Sequence, residues 1–179
     1  MHEIETKILE VDVADIKKKL ADLGAEEIQN VRLTVDWFSL PDTNSDEHSW
    51  FLRVRSYSSG KTEVTWKGKS EILGASRSHK EINLIVDDHE KAKILFENIG
   101  LACYAHQEKD RISWKLENWQ FDLDTYPNMP PYLEIEGNSE EHIQEMIKKL
   151  SLESHESLPE GERTLIERKY KLNWCDMRF

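Results

Sequence analysis

Apolar residues recur along this chain in two rhythms. In three stretches they return every three or four positions, the spacing of one helix face. Ile16, Leu20 and Leu23 mark a helix over 14–23, with Asp12 placed to cap it and Gly24 to stop it. Ala92, Leu95, Phe96 and Ile99 mark a second over 90–99 that ends at Gly100, and Ile143, Met146, Ile147 and Leu150 a third over 139–150, capped by Ser139. Elsewhere apolar and polar residues alternate, predicting strands near 3–8, 31–39, 50–57, 62–68, 81–85, 108–116, 119–125 and 132–137. Ser58-Ser59-Gly60, Glu117-Asn118 and Pro127-x-x-Pro130-Pro131 supply turns between them. The run Glu3–Ile8 before Val11-Asp12 and the first helix has a counterpart in Glu81–Ile85 before Val86-Asp87 and the second, which predicts two related β-α-β halves. The fold class expected is α+β: a mostly antiparallel sheet of about eight strands in a single domain over 1–179, with a loop at 151–163 before a short helix ending near Trp174.

Charge repeats along the strands at a spacing of two. Glu3, Glu5 and Lys7 flank Ile4 and Thr6; Arg53 and Arg55 bracket Val54; Lys109 and Arg111 precede Ile112; Asp122 and Asp124 bracket Leu123; Glu134 and Glu136 bracket Ile135. Residues i and i+2 of a strand share a face, so these charges lie on one side and mainly apolar residues on the other. An ordinary solvated face would mix Thr, Ser, Gln and Lys. Here whole pairs carry one sign, and like charges held together repel unless a counter-ion binds them. The arrangement predicts a curved barrel with charges inside and the apolar core outside beneath the helices. Lys7, Arg53, Arg55, Lys67, Lys109 and Arg111 supply six positive charges; Glu3, Glu5, Glu81, Asp124, Glu134 and Glu136 supply six negative ones. With the protein's own charges balanced, two divalent cations would offset a bound polyanion, and hard carboxylate oxygens suit Mg²⁺ or Mn²⁺.

Composition narrows the partners. The 179 residues are 38% hydrophobic and 33% charged with a net charge of −11, against a basic face for nucleic acid polymers. No apolar run approaches the roughly 18 residues of a membrane span, and no basic-then-apolar leader precedes the first strand. Two cysteines, Cys103 and Cys175, make no disulfide framework, so a reducing cytoplasm is the expected setting. Cys103-x-x-His106 has metal-like spacing but no second pair in the sequence.

Glu3-x-Glu5-x-Lys7 resembles the ExExK signature of the CYTH superfamily, which takes in class IV adenylate cyclases, thiamine triphosphatases and tripolyphosphatases. The later elements follow in that family's order: Leu52-Arg53-Val54-Arg55, Thr65-Trp66-Lys67, Lys109-Asp110-Arg111, Asp124, and Tyr132-Leu133-Glu134-Ile135-Glu136-Gly137. The resemblance spans roughly residues 2–150 and implies a triphosphate tunnel, a closed eight-stranded antiparallel barrel with helices packed outside. By analogy Glu3, Glu5, Asp124, Glu134 and Glu136 bind the metal, and Lys7, Arg53, Arg55, Lys67, Lys109 and Arg111 bind the triphosphate, with Lys7 and Lys67 in catalytic roles. Three places depart from the pattern. Trp37-Phe38 stands where members often have Tyr, Asn83 where an acid is common, and Lys169-Tyr170 in place of a Ser-Tyr pair.

Three functions stay open on this reading. The first is a metal-dependent phosphohydrolase acting on a nucleotide, thiamine triphosphate or inorganic tripolyphosphate. The second is a cyclase converting ATP to cyclic AMP and pyrophosphate, and the third a binding module without turnover. The expected partner is a small-molecule triphosphate, with no membrane and no nucleic acid polymer, in a monomer or homodimer.

Overall fold

The computed structural model describes residues 2–41, 50–69, 71–73 and 76–179, apart from the side chains of His2, Glu3, Leu73, Arg77 and His79. Its first half runs β1 (His2–Ile8), α1 (Val13–Asp22), β2 (Glu26–Ser39), β3 (Trp50–Tyr57) and β4 (Thr62–Gly68). After a short strand β5 (Glu71–Leu73) come β6 (Ser76–Val86), α2 (His89–Asn98), β7 (Ala102–Leu116), β8 (Trp119–Thr125), β9 (Tyr132–Gly137) and α3 (Glu140–Lys149). The C-terminal segment holds β10 (Ser157–Leu158), a short helix α4 (Glu162–Thr164) that runs on through a π-helical turn at Leu165–Lys169, and β11 (Asp176–Met177).

The sheet order is β1-β9-β8-β7-β2-β3-β4-β6, and β6 pairs back onto β1 through His2↔Lys80 to Glu5↔Arg77. Eight antiparallel strands therefore form a closed ring. The predicted halves are visible in this ring: exchanging β1 with β6, β2 with β7, β3 with β8 and β4 with β9 leaves the pairing list unchanged. Each half opens on the same unit, a strand, a ten-residue helix with an aspartate cap, and a long strand. Asp12 accepts from the Asp15 amide at 2.8 Å and Asp88 from the Lys91 amide at 3.0 Å. Gly24 and Gly100, at φ +79° and +94°, end the two helices in the left-handed conformation that side chains disfavour.

Two cores lie outside the ring, as alternation predicts. Ile16 and Leu20 of α1 with Ile143, Met146 and Ile147 of α3 cover the outward faces of β1, β8 and β9, including Ile8, Phe121, Leu123, Leu133 and Ile135. Ala92 and Phe96 of α2 cover Phe38, Val54 and Val64. Beneath α2 the buried carboxylate of Asp36 accepts from His89 Nε2 at 2.6 Å and His106 Nδ1 at 2.8 Å, and pairs with Lys93 at 3.1 Å, tying the helix to β2 and β7.

A third core corrects the expectation that the barrel holds only charges. Val31, Leu33 and Val35 of β2 share its inner face with Trp37, opposite Arg111, Lys109 and Gln107 of β7. They pack against Leu165, Ile166, Trp174 and Met177, so the C-terminal segment closes one end of the ring. Its backbone is held where the strands diverge: β10 takes the edge of β1 beyond β6, and β11 pairs in parallel with β7 at His106 and Gln107, beyond the reach of β8. The helix in this segment stops at Lys169, ahead of Trp174, because the chain must turn back to reach β7. Ile166 is fully buried in this plug. Ile166→Ala is expected to lower stability by about 2–4 kcal/mol, read by urea unfolding.

Candidate triphosphate site

Residues on the inward faces of β2, β3, β4, β6, β7, β8 and β9 line a cavity of about 510 Å³. Direct pairing sets Arg53 beside Thr65, Arg55 beside Glu63, Lys67 beside Glu81, Glu5 beside Glu136, Lys7 beside Glu134, and Arg111 beside Asp124. Side chains directly opposite on neighbouring strands point the same way, which is why charges spaced by two all reach one interior. The pseudo-twofold arrangement also polarises it. Arg53, Arg55 and Lys67 stand on β3 and β4, and Asp122, Asp124, Glu134 and Glu136 on the corresponding β8 and β9.

Of the sequence-predicted residues whose side chains are described, Arg53, Arg55, Lys67, Arg111, Glu134 and Glu136 line the cavity, whereas Glu5, Lys7, Lys109 and Asp124 are buried beside it and join the lining through ion pairs: Glu5 with Lys7, Lys7 with Glu134, Lys109 with Asp124 and Asp124 with Arg111. Glu3 pairs with His79 through its backbone in β1, but its side chain lies outside the described residues, as does that of Arg77. Lys7, with no exposed surface, pairs with Glu134 at 2.9 Å, and Lys67 with Glu81 at 2.6 Å. Asp124 is equally buried: Oδ1 accepts from Arg111 Nε at 2.6 Å, and Oδ2 from Arg111 Nη2 at 2.6 Å, Lys109 at 2.8 Å and the Tyr132 hydroxyl at 3.0 Å.

Arg53 differs from its neighbours. It is 7% exposed, its guanidinium lies 5.5 Å over the Trp37 ring, and its Nε has no hydrogen-bond partner. Among the described residues no carboxylate pairs with it, and burial followed by the nearby Arg55 charge pushes its pKa down. Arg55 keeps one partner, Glu63 Oε1 at 2.5 Å, with its own Nε also unbonded.

Several participants escape the spacing rule. Glu63 lines the cavity from β4; burial would raise its pKa, but Arg55 and Lys61 hold it down at about 2. Glu162 enters from α4, where no strand carries it. Tyr126 and Tyr132 donate to it, and burial first, then the Glu162 and Asp124 charges, push both phenols well above their usual range, so they stay protonated donors. The departures from the family pattern fall in separate places. Trp37 lines the cavity and donates to Gln107 at 2.8 Å, while Phe38 turns outward beneath α2. Asn83 faces inward, accepting from Thr65 at 2.8 Å and donating to Glu81 at 2.7 Å. Lys169 and Tyr170 bond Glu156 and Glu10 outside the ring. Cys103 is exposed, and His106 belongs to the Asp36 network.

Eight cations (Lys7, Arg53, Arg55, Lys61, Lys67, Lys109, Arg111, Arg163) thus stand in or beside the cavity with eight acids (Glu5, Glu63, Glu81, Asp122, Asp124, Glu134, Glu136, Glu162). Among the described residues no three His, Cys, Asp or Glu side chains gather as a bare metal site; the acids are interleaved with lysines and arginines instead. Their hard oxygens nonetheless fit divalent Mg²⁺ or Mn²⁺ arriving with an anion that draws the lysines and arginines to itself.

A family model described as the CYTH domain matches residues 1–170. A Methanocaldococcus jannaschii protein provisionally named adenylate cyclase is 27% identical over 136 residues, covering 76% of this chain and 77% of that protein. The PH1012 protein of Pyrococcus horikoshii superposes with a TM-score of 0.73 at 29% identity, over 89% of this chain and 96% of that one. The Hippeastrum protein HpAC1, whose structure is described as revealing a dominant triphosphatase activity, shares the fold at TM-score 0.69 and 13% identity, over 98% and 100% of the two chains. No helix among the described residues is long and apolar enough to cross a membrane.

Proposed function

The chain belongs to the CYTH domain family, and from that premise we propose that its barrel binds a small-molecule triphosphate with Mg²⁺ or Mn²⁺ and hydrolyses it. Water would attack the terminal phosphorus, the bond to the bridging oxygen would break, and the diphosphate would leave as the attacked group becomes orthophosphate. The observation that supports this most is Arg53. A buried guanidinium with no direct ion pair among the described residues, and only the more distant Glu81 and Glu162 charges to offset it, costs stability, and it is best explained by an anion that belongs there when the protein works.

Arg53 and Arg55 are placed to hold phosphoryl oxygens in bidentate fashion from β3. Lys67, Lys109 and Arg111 would close on the chain of phosphates, and Lys7, fixed between Glu5 and Glu134, would carry positive charge to the reacting group. Glu5, Glu134 and Glu136, with Glu3 of the same strand and Asp124, would hold the divalent ion, which supplies charge neutralisation on the phosphoryl oxygens and orients the attacking oxygen. Such an enzyme works mainly by position: groups pre-set by strand register meet the charge of the transition state without rearranging.

A second reading is cyclisation, with a ribose 3′-hydroxyl attacking the α-phosphorus of ATP and pyrophosphate leaving. The aromatic wall of Trp37, Phe51 and Trp174, with ring centroids 4.9 and 5.1 Å apart, favours it, since a base could stack there.

The test is ³¹P NMR of products from ATP, thiamine triphosphate and tripolyphosphate, each with Mg²⁺, Mn²⁺ or excess EDTA. Orthophosphate with a diphosphate is expected, and only with the ion present. Pyrophosphate with cyclic AMP would establish the second reading. Binding without any product would make the barrel a carrier or sensor.

A further inference from the structure

Among the described residues, Glu162 is the acid that reaches the charged interior from outside the eight-stranded ring. Lys109 donates to its Oε1, Tyr132 to the same oxygen at 3.2 Å, and Tyr126 to Oε2 at 2.7 Å. Lys109 is 1% exposed and already shares its ammonium with Asp124 at 2.8 Å. One ammonium and two phenol hydroxyls converging on a pair of anionic oxygens is also the donor set that two oxygens of a phosphoryl group would take. A phosphate seated at Lys109 must therefore displace the Glu162 carboxylate or lie against it, and like charges repel strongly in a buried site.

Building on the triphosphate reading, we infer that Glu162 is an internal competing anion that selects triphosphate esters over inorganic tripolyphosphate. The selection follows from what each ligand can present at the closed end. Tripolyphosphate has an ionised terminal phosphate at both ends, so either direction of threading sets one against Glu162. An ester has one such end and one organic end. The organic end can lie beside Glu162, where Trp37, Phe51 and Trp174 line the same cavity. Glu162 enters as part of the plug, so the segment that closes the barrel also sets its ligand preference.

The experiment is calorimetric titration, with Mg²⁺ in excess, of wild type, Glu162→Gln and Glu162→Ala against two hydrolysis-resistant probes: imidotriphosphate and the β,γ-imido analogue of ATP. Both variants are expected to bind imidotriphosphate about tenfold tighter than wild type, with the ATP analogue shifting by less than about threefold. Equal shifts for the two probes, no shift, or weaker imidotriphosphate binding would overturn the selective role while leaving the triphosphate site intact. Failure of all three proteins to bind either probe would overturn the triphosphate reading and this inference with it.

Discussion

Replacing Arg53 with methionine is expected to weaken triphosphate binding about a thousandfold while leaving the fold as stable as before, or more so. The two halves of this expectation have one cause. Arg53 is 7% exposed, has no carboxylate partner among the described residues, and leaves Nε unbonded. A buried charge without a direct ion pair, offset only by the more distant Glu81 and Glu162, is costly, so a methionine of similar length should relieve the folded state by about 1–3 kcal/mol. The loss on binding comes from two charge-assisted hydrogen bonds to phosphate in a site shielded from water, together about 4 kcal/mol. Arg55→Met should behave differently, because it takes from Glu63 the nearer of its two cations, at 2.5 Å, and leaves only Lys61 at 2.8 Å, so stability should fall along with affinity. Calorimetric titration with the imido analogue of ATP, beside urea unfolding of each variant, reads both quantities. An Arg53→Met protein that keeps its affinity but unfolds earlier would make Arg53 a structural residue and remove the main support for the triphosphate site.

Much of this site is visible in the sequence because strand geometry is periodic. Wherever alternation runs cleanly to both ends, the expected limits coincide with those of the fold, as for β3, β4, β8 and β9. The long strands β2 and β7 begin well before the alternation does. Register shifts between Glu27 and Gln29 and between Trp37 and Phe38 break the parity there, and pairing continues where the pattern cannot be followed. The same strand defeats the rule that charges face inward. Arg32 and Asp36 of β2 point out, and Leu33 and Val35 point in, because the C-terminal plug needs an apolar surface inside the ring. Alternation identifies two faces but does not say which one is enclosed. Glu162 carries no local signal, since its position depends on a segment folding back across the end of the barrel after 151–161. His89 and His106 are scattered in sequence and meet only because α2 lies over β2 and β7 on the carboxylate of Asp36.

Asp124→Asn should unfold about 3–5 kcal/mol more easily at neutral pH, and the deficit should close in acid. Asp124 has no exposed surface, and its two oxygens accept from Arg111 twice, from Lys109 and from Tyr132. An asparagine keeps the shape but has one accepting oxygen, so its amide must face a buried guanidinium or ammonium, and those two charges lose their counter-ion. Burial alone would raise the Asp124 pKa; the Arg111 and Lys109 charges outweigh it and hold the carboxyl at about 2, below its ordinary 3.8. For a depressed carboxyl the stabilisation is complete above the ordinary value and is lost as pH falls through the folded-state value. The gap between wild type and variant should therefore be level from pH 7 down to about 4 and narrow towards pH 2. Urea unfolding of both proteins across that range, without divalent ions, reads it directly. A gap below about 1 kcal/mol at pH 7 would mean that the Arg111–Asp124–Lys109 cluster is not what holds β7 and β8 together inside the barrel. A deficit that appeared only on adding Mg²⁺ would mean that Asp124 serves the metal alone, with Arg111 and Lys109 held chiefly by Asp122 and Glu162.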